Sequence, residues 1–163
     1  MKKLIYTLLI IIGLTNNSFS AGSSSDNDST SKVSDYAKAK NLIKAAKKFE
    51  KKGKAEKAQI RYAKAQKLLL KSNDKKPLQA DTLNYLGFTT RKLGDYEKGE
   101  KFYLLGLQVE PNHNGINEYL GELYVATNRM DMAKERLDVL KTCNCEEYGE
   151  LKEIIEGTKK SKY

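Results

Sequence analysis

The side chains with the most chemistry to offer are Cys143 and Cys145, one residue apart, and the single histidine, His113. Two thiols cannot supply a four-thiolate zinc site, and one imidazole excludes the multi-histidine catalytic zinc sites. His113 lies in the turn after Pro111 and reads as a solvated loop residue, which leaves no base for a Ser-His-Asp set. The sequence has no GxGxxG and no glycine-rich phosphate loop ending in lysine. Glu146 and Glu147 open a helical pattern, where the positive helix end favours carboxylates without any catalytic duty. Accordingly, no catalytic residue, cofactor or metal is expected. For Cys143 and Cys145 three readings stand: a disulfide, free or intermolecular thiols, or a redox or metal pair.

Charge is the other chemical resource. The 163 residues carry 30 Lys and Arg against 21 Asp and Glu, a net charge of +9. The lysines crowd into residues 32–76, with Lys38, Lys44, Lys47, Lys51, Lys57, Lys64 and Lys71 on two helical stretches. Such a surface is either a solvated face or an attachment for an acidic protein, anionic lipid heads or another polyanion.

Positioning these groups takes a scaffold, and composition bounds it. The length suits one compact unit, and 39% hydrophobic with 31% charged residues suits a solvated fold. Residues 1–20 read as a secretory signal peptide and not as part of that fold. Lys2 and Lys3 precede an apolar run from Leu4 to Leu14, and Ser18-Phe19-Ser20 offers small residues for a cut after Ser20. The run is 11 residues long, where a bilayer span takes about 20; the alternative is an uncleaved anchor. Export to the periplasm is the expected localisation, and it disfavours nucleic acid as a partner. Residues 21–34 are rich in Ser, Asp and Asn and read as a flexible linker.

From there a repeat organises the chain. Leu86-Gly87 recurs 34 residues later as Leu120-Gly121, and Gly99 maps onto Ala133 at the same offset. A weaker upstream copy reads Leu42, Ala45, Ala46, Phe49, Gly53, Ala58, Tyr62 and Ala65, with seven extra residues near Asn73–Gln79. Small residues at Ala46, Gly87 and Gly121 suit close helix approach, and Gly53, Gly94 and Asn128 suit the left-handed ends of helices. Tyr148, Leu151, Ile154 and Ile155 follow at helical spacing, with Gly157 as a stop.

Leu83, Leu86-Gly87, Gly94-Asp95-Tyr96, Gly99, Tyr103, Gly106 and Pro111 resemble the tetratricopeptide (TPR) repeat. The wider run through Glu118-Tyr119-Leu120-Gly121 to Cys145 and Tyr148 is similar to small exported bacterial TPR proteins. The resemblance implies an all-α solenoid over 35–158, with helix hairpins at about 39–72, 80–113 and 114–147, a capping helix at 147–158, and a basic tail at 159–163. Gly99 and Gly106 replace the alanines usual in the family, so the middle repeat is expected to be the looser one.

The resemblance also implies a function. TPR arrays bind proteins or peptides along the inner face made by the first helices of each pair. Carried onto this sequence, the partner-binding groove falls on Lys47, Asn84, Tyr85, Phe88, Arg91, Lys92, Tyr119 and Glu122. Aromatic and arginine side chains are typical interface anchors. Two other functions are open: a peripheral envelope protein held by weak contact of its lysine-rich first repeat with an anionic surface, and a thiol–disulfide participant using Cys143 and Cys145.

Overall fold

The computed structural model describes residues 33–161. The expected leader at 1–20, the expected linker up to residue 32 and the last two residues of the expected tail lie outside the described residues. Among the described residues seven helices follow one another: α1 (Asp35–Lys51), α2 (Ala55–Lys75), α3 (Ala80–Lys92), α4 (Tyr96–Val109), α5 (Asn114–Ala126), α6 (Met130–Leu140) and α7 (Glu146–Ile155). Among the described residues there is no strand, and no helix is long and apolar enough to cross a membrane.

Local sequence explains where each helix starts and stops. Ser34 caps α1 by accepting a hydrogen bond from the Ala37 amide at 3.1 Å, and Asp95 caps α4 through the Lys98 amide at 3.0 Å. Gly53, Gly94 and Asn128 end the first helix of each pair at φ of 67°, 96° and 63°, as their residue types favour. Gly157 does the same after α7 at φ 72°. The apolar positions repeat at helical spacing: Ala39, Ile43 and Ala46 in α1, and Ala58, Tyr62, Ala65 and Leu69 in α2, all buried.

The helices pack as three pairs, α1 on α2, α3 on α4 and α5 on α6, with α7 against α5 and α6. α3 and α5 open 34 residues apart, at Ala80 and Asn114, and so do α4 and α6, at Tyr96 and Met130. The first helices also touch along one side, α1 with α3 and α3 with α5, which builds a short solenoid with an inner face. Of the residues near Asn73–Gln79, residues 73–75 continue α2 and residues 76–79 make the turn to α3. α2 thus runs to 21 residues against 14 for α4.

Small residues set the separation of the helices. A Cβ on Gly87 would overlap the Tyr103 ring, and one on Gly121 would stand 2.5 Å from Leu151 Cδ2 of the cap. Gly99 and Gly106 are buried at similar contacts, where a Cβ would come 3.1 Å from the Gly87 carbonyl and 2.5 Å from Ile116 Cδ1. Their lower helix propensity, about 1 kcal/mol each, is the cost of bringing α4 this close to α3 and α5. The outer edge of the first pair carries one lysine among half-buried apolar residues. α3 buries Leu83, Leu86, Thr89 and Thr90 under the preceding pair. The matching positions of α1 are Leu42, Ala45, Lys48 and Phe49, with Lys48 exposed. A lysine there suits a solenoid edge that meets water.

Candidate functional site

The inner face is built where the first helices run side by side. Its centre is filled by an aromatic ladder: Tyr62 stacks edge-on to Phe88 at 5.7 Å between centroids, and Phe88 meets Tyr119 at 5.0 Å. Lys47, reaching from α1, lays its ammonium 4.6 Å over the Phe88 ring and donates a hydrogen bond to the Tyr119 hydroxyl at 3.1 Å. This contact spans 72 residues of sequence and ties the first pair to the third. Each cation–π contact of this kind contributes about 0.5–2 kcal/mol. Burial pushes the Tyr119 hydroxyl well above its ordinary range, with the nearby Glu118 charge adding to the effect.

Beneath the ladder lies a buried ion pair. Arg91 is 1% exposed and Glu122 is fully buried. Arg91 donates to the Tyr119 carbonyl at 2.7 Å and to Glu122 Oε2 at 3.2 Å. Burial pulls the Arg91 guanidinium down, while Tyr103 and Glu122 beside it oppose that pull. At the other end of the face, Glu50 accepts from the Tyr62 hydroxyl at 2.7 Å and pairs with Lys92 at 2.7 Å.

The residues expected to line the groove therefore come together, in two different roles. Phe88, Arg91 and Glu122 are interior, so the expectation that they stand open as anchors is corrected: Tyr62, Tyr119 and the Arg91–Glu122 pair itself fill the space between the helices. Asn84 and Tyr119 are also largely buried, at 5% and 9% exposure. Lys47, Tyr85 and Lys92 keep partial access. Along the α1 side of the face two cavities remain open. One, of about 710 Å³, is lined by Lys47, Glu50, Lys51, Phe88, Lys92, Glu150 and Ser161. The other, of about 390 Å³, is lined by Lys40, Asn41, Ile43, Lys44, Lys47 and Tyr85.

Sequence reasoning passed over two contributors. α7 brings Glu150 to the larger cavity, and its start 32 residues after that of α5 was the available signal that it holds a first-helix position. His113 is no solvated loop residue. Its Nδ1 accepts from the Ile116 amide at 3.2 Å and caps α5, and its side chain is mostly covered. Asn117 beside it donates to the Pro111 and His113 carbonyls at 3.0 and 3.1 Å, fixing the turn.

Cys143 and Cys145 are joined by a disulfide, their Cα atoms 5.2 Å apart, in the turn between α6 and α7. No cluster of three or more His, Cys, Asp or Glu among the described residues is arranged to hold a metal ion.

Paired antiparallel helices at a 34-residue offset, seamed by small residues and closed by a seventh helix, make this a TPR-like helical repeat protein. The chain is similar to the first TPR domain of Spaghetti (RPAP3) solved with the HSP90 peptide SRMEEVD. The identity is 21%, the match covers 77% of this chain and 97% of that one, and the TM-score is 0.48. It is similar also to the first TPR domain of human RPAP3 solved by NMR, at 21% identity over 77% of this chain and 98% of that one, with a TM-score of 0.47. No family model matches the sequence, and no curated protein does.

Proposed function

We propose that this chain is an exported interaction module whose inner face takes an extended, acidic segment of a partner protein. One observation carries the reading: Lys40, Lys44, Lys47 and Lys51 fall at successive turns along one side of α1 and line the two open cavities, which share Lys47. Residues i, i+4, i+7 and i+11 of a helix form one stripe. An extended chain laid along that stripe meets ammonium groups at each turn and the half-buried Tyr85 ring between them. Lysine ammoniums on a rim accelerate encounter with an acidic partner and reject a basic one. Binding, and not catalysis, is the role this arrangement suits.

Export rests on the sequence. The Lys2-Lys3 start, the Leu4–Leu14 run and the Ser18-Phe19-Ser20 site support secretion with cleavage after Ser20 and a periplasmic location. The resemblance to small exported bacterial TPR proteins supports the same reading. A disulfide between Cys143 and Cys145 fits an oxidising compartment.

The reading is tested by fluorescence anisotropy with fluorescein-labelled hexaglutamate and hexaglutamine peptides. Hexaglutamate is expected to bind, with affinity falling as salt rises. Lys44→Glu/Lys51→Glu, shown by circular dichroism to be folded, is expected to weaken it roughly tenfold or more. Equal binding of the two peptides, or an unaffected variant, would refute the acidic-segment reading.

A further inference from the structure

Next to the lysine stripe the inner face changes sign. A third cavity, of about 380 Å³, lies at the N-terminal ends of α3 and α5 and at the turn leading into α5. Asp81, Glu110, Glu118 and Glu147 line it, no Lys or Arg does, and the His113 ring, also in the wall, has its Nε2 3.3 Å from Asp81 Oδ1. Glu118 is 4% exposed, so one carboxylate belongs to the interior wall and not to a solvated rim.

A second observation points to a missing ligand. Asn84 lines the same cavity, is 5% exposed, and its side-chain oxygen Oδ1 has no hydrogen-bond partner. Its Nδ2 lies against Gly115, where a Cβ would stand 2.7 Å away, so the bare backbone there makes room for the amide. Buried polar atoms are nearly always satisfied, so a buried acceptor with no protein partner is available to a water or to a donor carried by a ligand. The wall thus offers a buried amide oxygen and carboxylates, a set of acceptors suited to a donor carrying positive charge.

We infer that this cavity receives a guanidinium or ammonium group carried by the same partner segment whose acidic part lies along α1. The inference rests on the acidic-segment reading above for the identity of the partner. Tyr85 lines both this cavity and the cavity of Lys40 and Lys44, so one extended chain can occupy both. A bare metal ion is a poor fit, since no three of these ligand types among the described residues converge on one point. A side chain with several donors can instead address carboxylates from different helices at once, and the Tyr85 ring offers a face for the cation.

Two measurements on the full chain test this. In the first, argininamide and its neutral isostere citrullinamide are titrated while the Asn84 side-chain amide resonances are followed by NMR. Argininamide is expected to move them saturably and citrullinamide to leave them in place. Asp81→Asn/Glu147→Gln, checked for an unchanged melt, is expected to bind argininamide about tenfold more weakly. Failure of argininamide to move Asn84, or an equal response to citrullinamide, overturns the site.

In the second, hexaglutamate is compared with hexaglutamate extended by Gly-Gly-Arg. The arginine is expected to tighten binding roughly tenfold in the wild type. The Asp81→Asn/Glu147→Gln variant is expected to lose that gain while keeping its affinity for hexaglutamate itself. Hexaglutamate that binds with no gain from the arginine overturns the inference and leaves the acidic-segment reading standing. Argininamide binding at Asn84 with no binding of hexaglutamate has the opposite meaning: the cation site stands and the acidic-segment reading falls.

Discussion

Arg91 of α3 and Glu122 of α5 meet at 3.2 Å with both side chains wholly removed from solvent. The pair joins the first helices of two successive repeats, and Arg91 adds a 2.7 Å hydrogen bond to the Tyr119 carbonyl of α5. Removing two charges from water is expensive, and their mutual attraction offsets that cost only while both are present. Arg91→Met alone or Glu122→Leu alone is therefore expected to destabilise the fold by about 3–5 kcal/mol, by leaving a buried charge uncompensated. The double variant Arg91→Met/Glu122→Leu is expected to recover most of that loss. Thermal and urea melts of the three variants check this, and equal losses for single and double variants would contradict it.

Ala133 of α6 is fully buried in the third pair. Ala133→Leu forces a larger side chain between α5 and α6. Overpacking of this kind costs about 1–3 kcal/mol, a large share of ordinary domain stability. A melt unchanged from wild type would mean that the register of the third pair is misassigned.

Asp35, in the first turn of α1, is 2.7 Å from Lys75 at the end of α2. The hydrogen bond from Lys75 holds its carboxyl below the ordinary value of 3.8, with the charges of Lys75, Lys71 and Lys38 assisting. A carboxyl depressed in the folded state adds stability that is fully present above its unfolded value and is lost as the pH falls through the folded one. In Lys75→Met the Asp35 midpoint, followed by carboxyl NMR, is expected to rise toward 3.8, and the α1–α2 pair to lose this part of its acid dependence. An unmoved midpoint would show that the pair is absent in solution.

Export yields a prediction at the chain start. The mature protein from its native host is expected to begin at Ala21, since the small residues Ser18 and Ser20 precede it at the required spacing. N-terminal sequencing returning Met1 or Lys2 would favour a retained anchor.

Local chemistry along the chain is enough to specify the helices and where the first helix of each pair ends. Gly53, Gly94 and Asn128 take the positive φ that terminates each first helix because their residue types tolerate it, whatever packs around them. The 34-residue offset and the small residues at Gly87 and Gly121 likewise dictated paired helices in close contact, since both act over one or two turns of neighbouring helix. The extra length upstream appears as a longer α2, because nothing between Ala55 and Lys75 breaks a helix.

Which inner-face residues stay accessible follows instead from packing between repeats. Arg91, Phe88 and Glu122 occupy positions that a repeat pattern assigns to a groove, yet their burial depends on contacts 28 to 72 residues away in sequence, such as Arg91 with Tyr119 and Lys47 with Tyr119. A period in sequence encodes which side of a helix faces its neighbour. It does not encode the angle between successive pairs, which comes from the summed volumes of side chains meeting across them. That packing covers the arginine and the aromatic ladder, leaves the α1 lysines at the surface, and gathers Asp81, Asn84, Glu118 and Glu147 from three helices around one cavity.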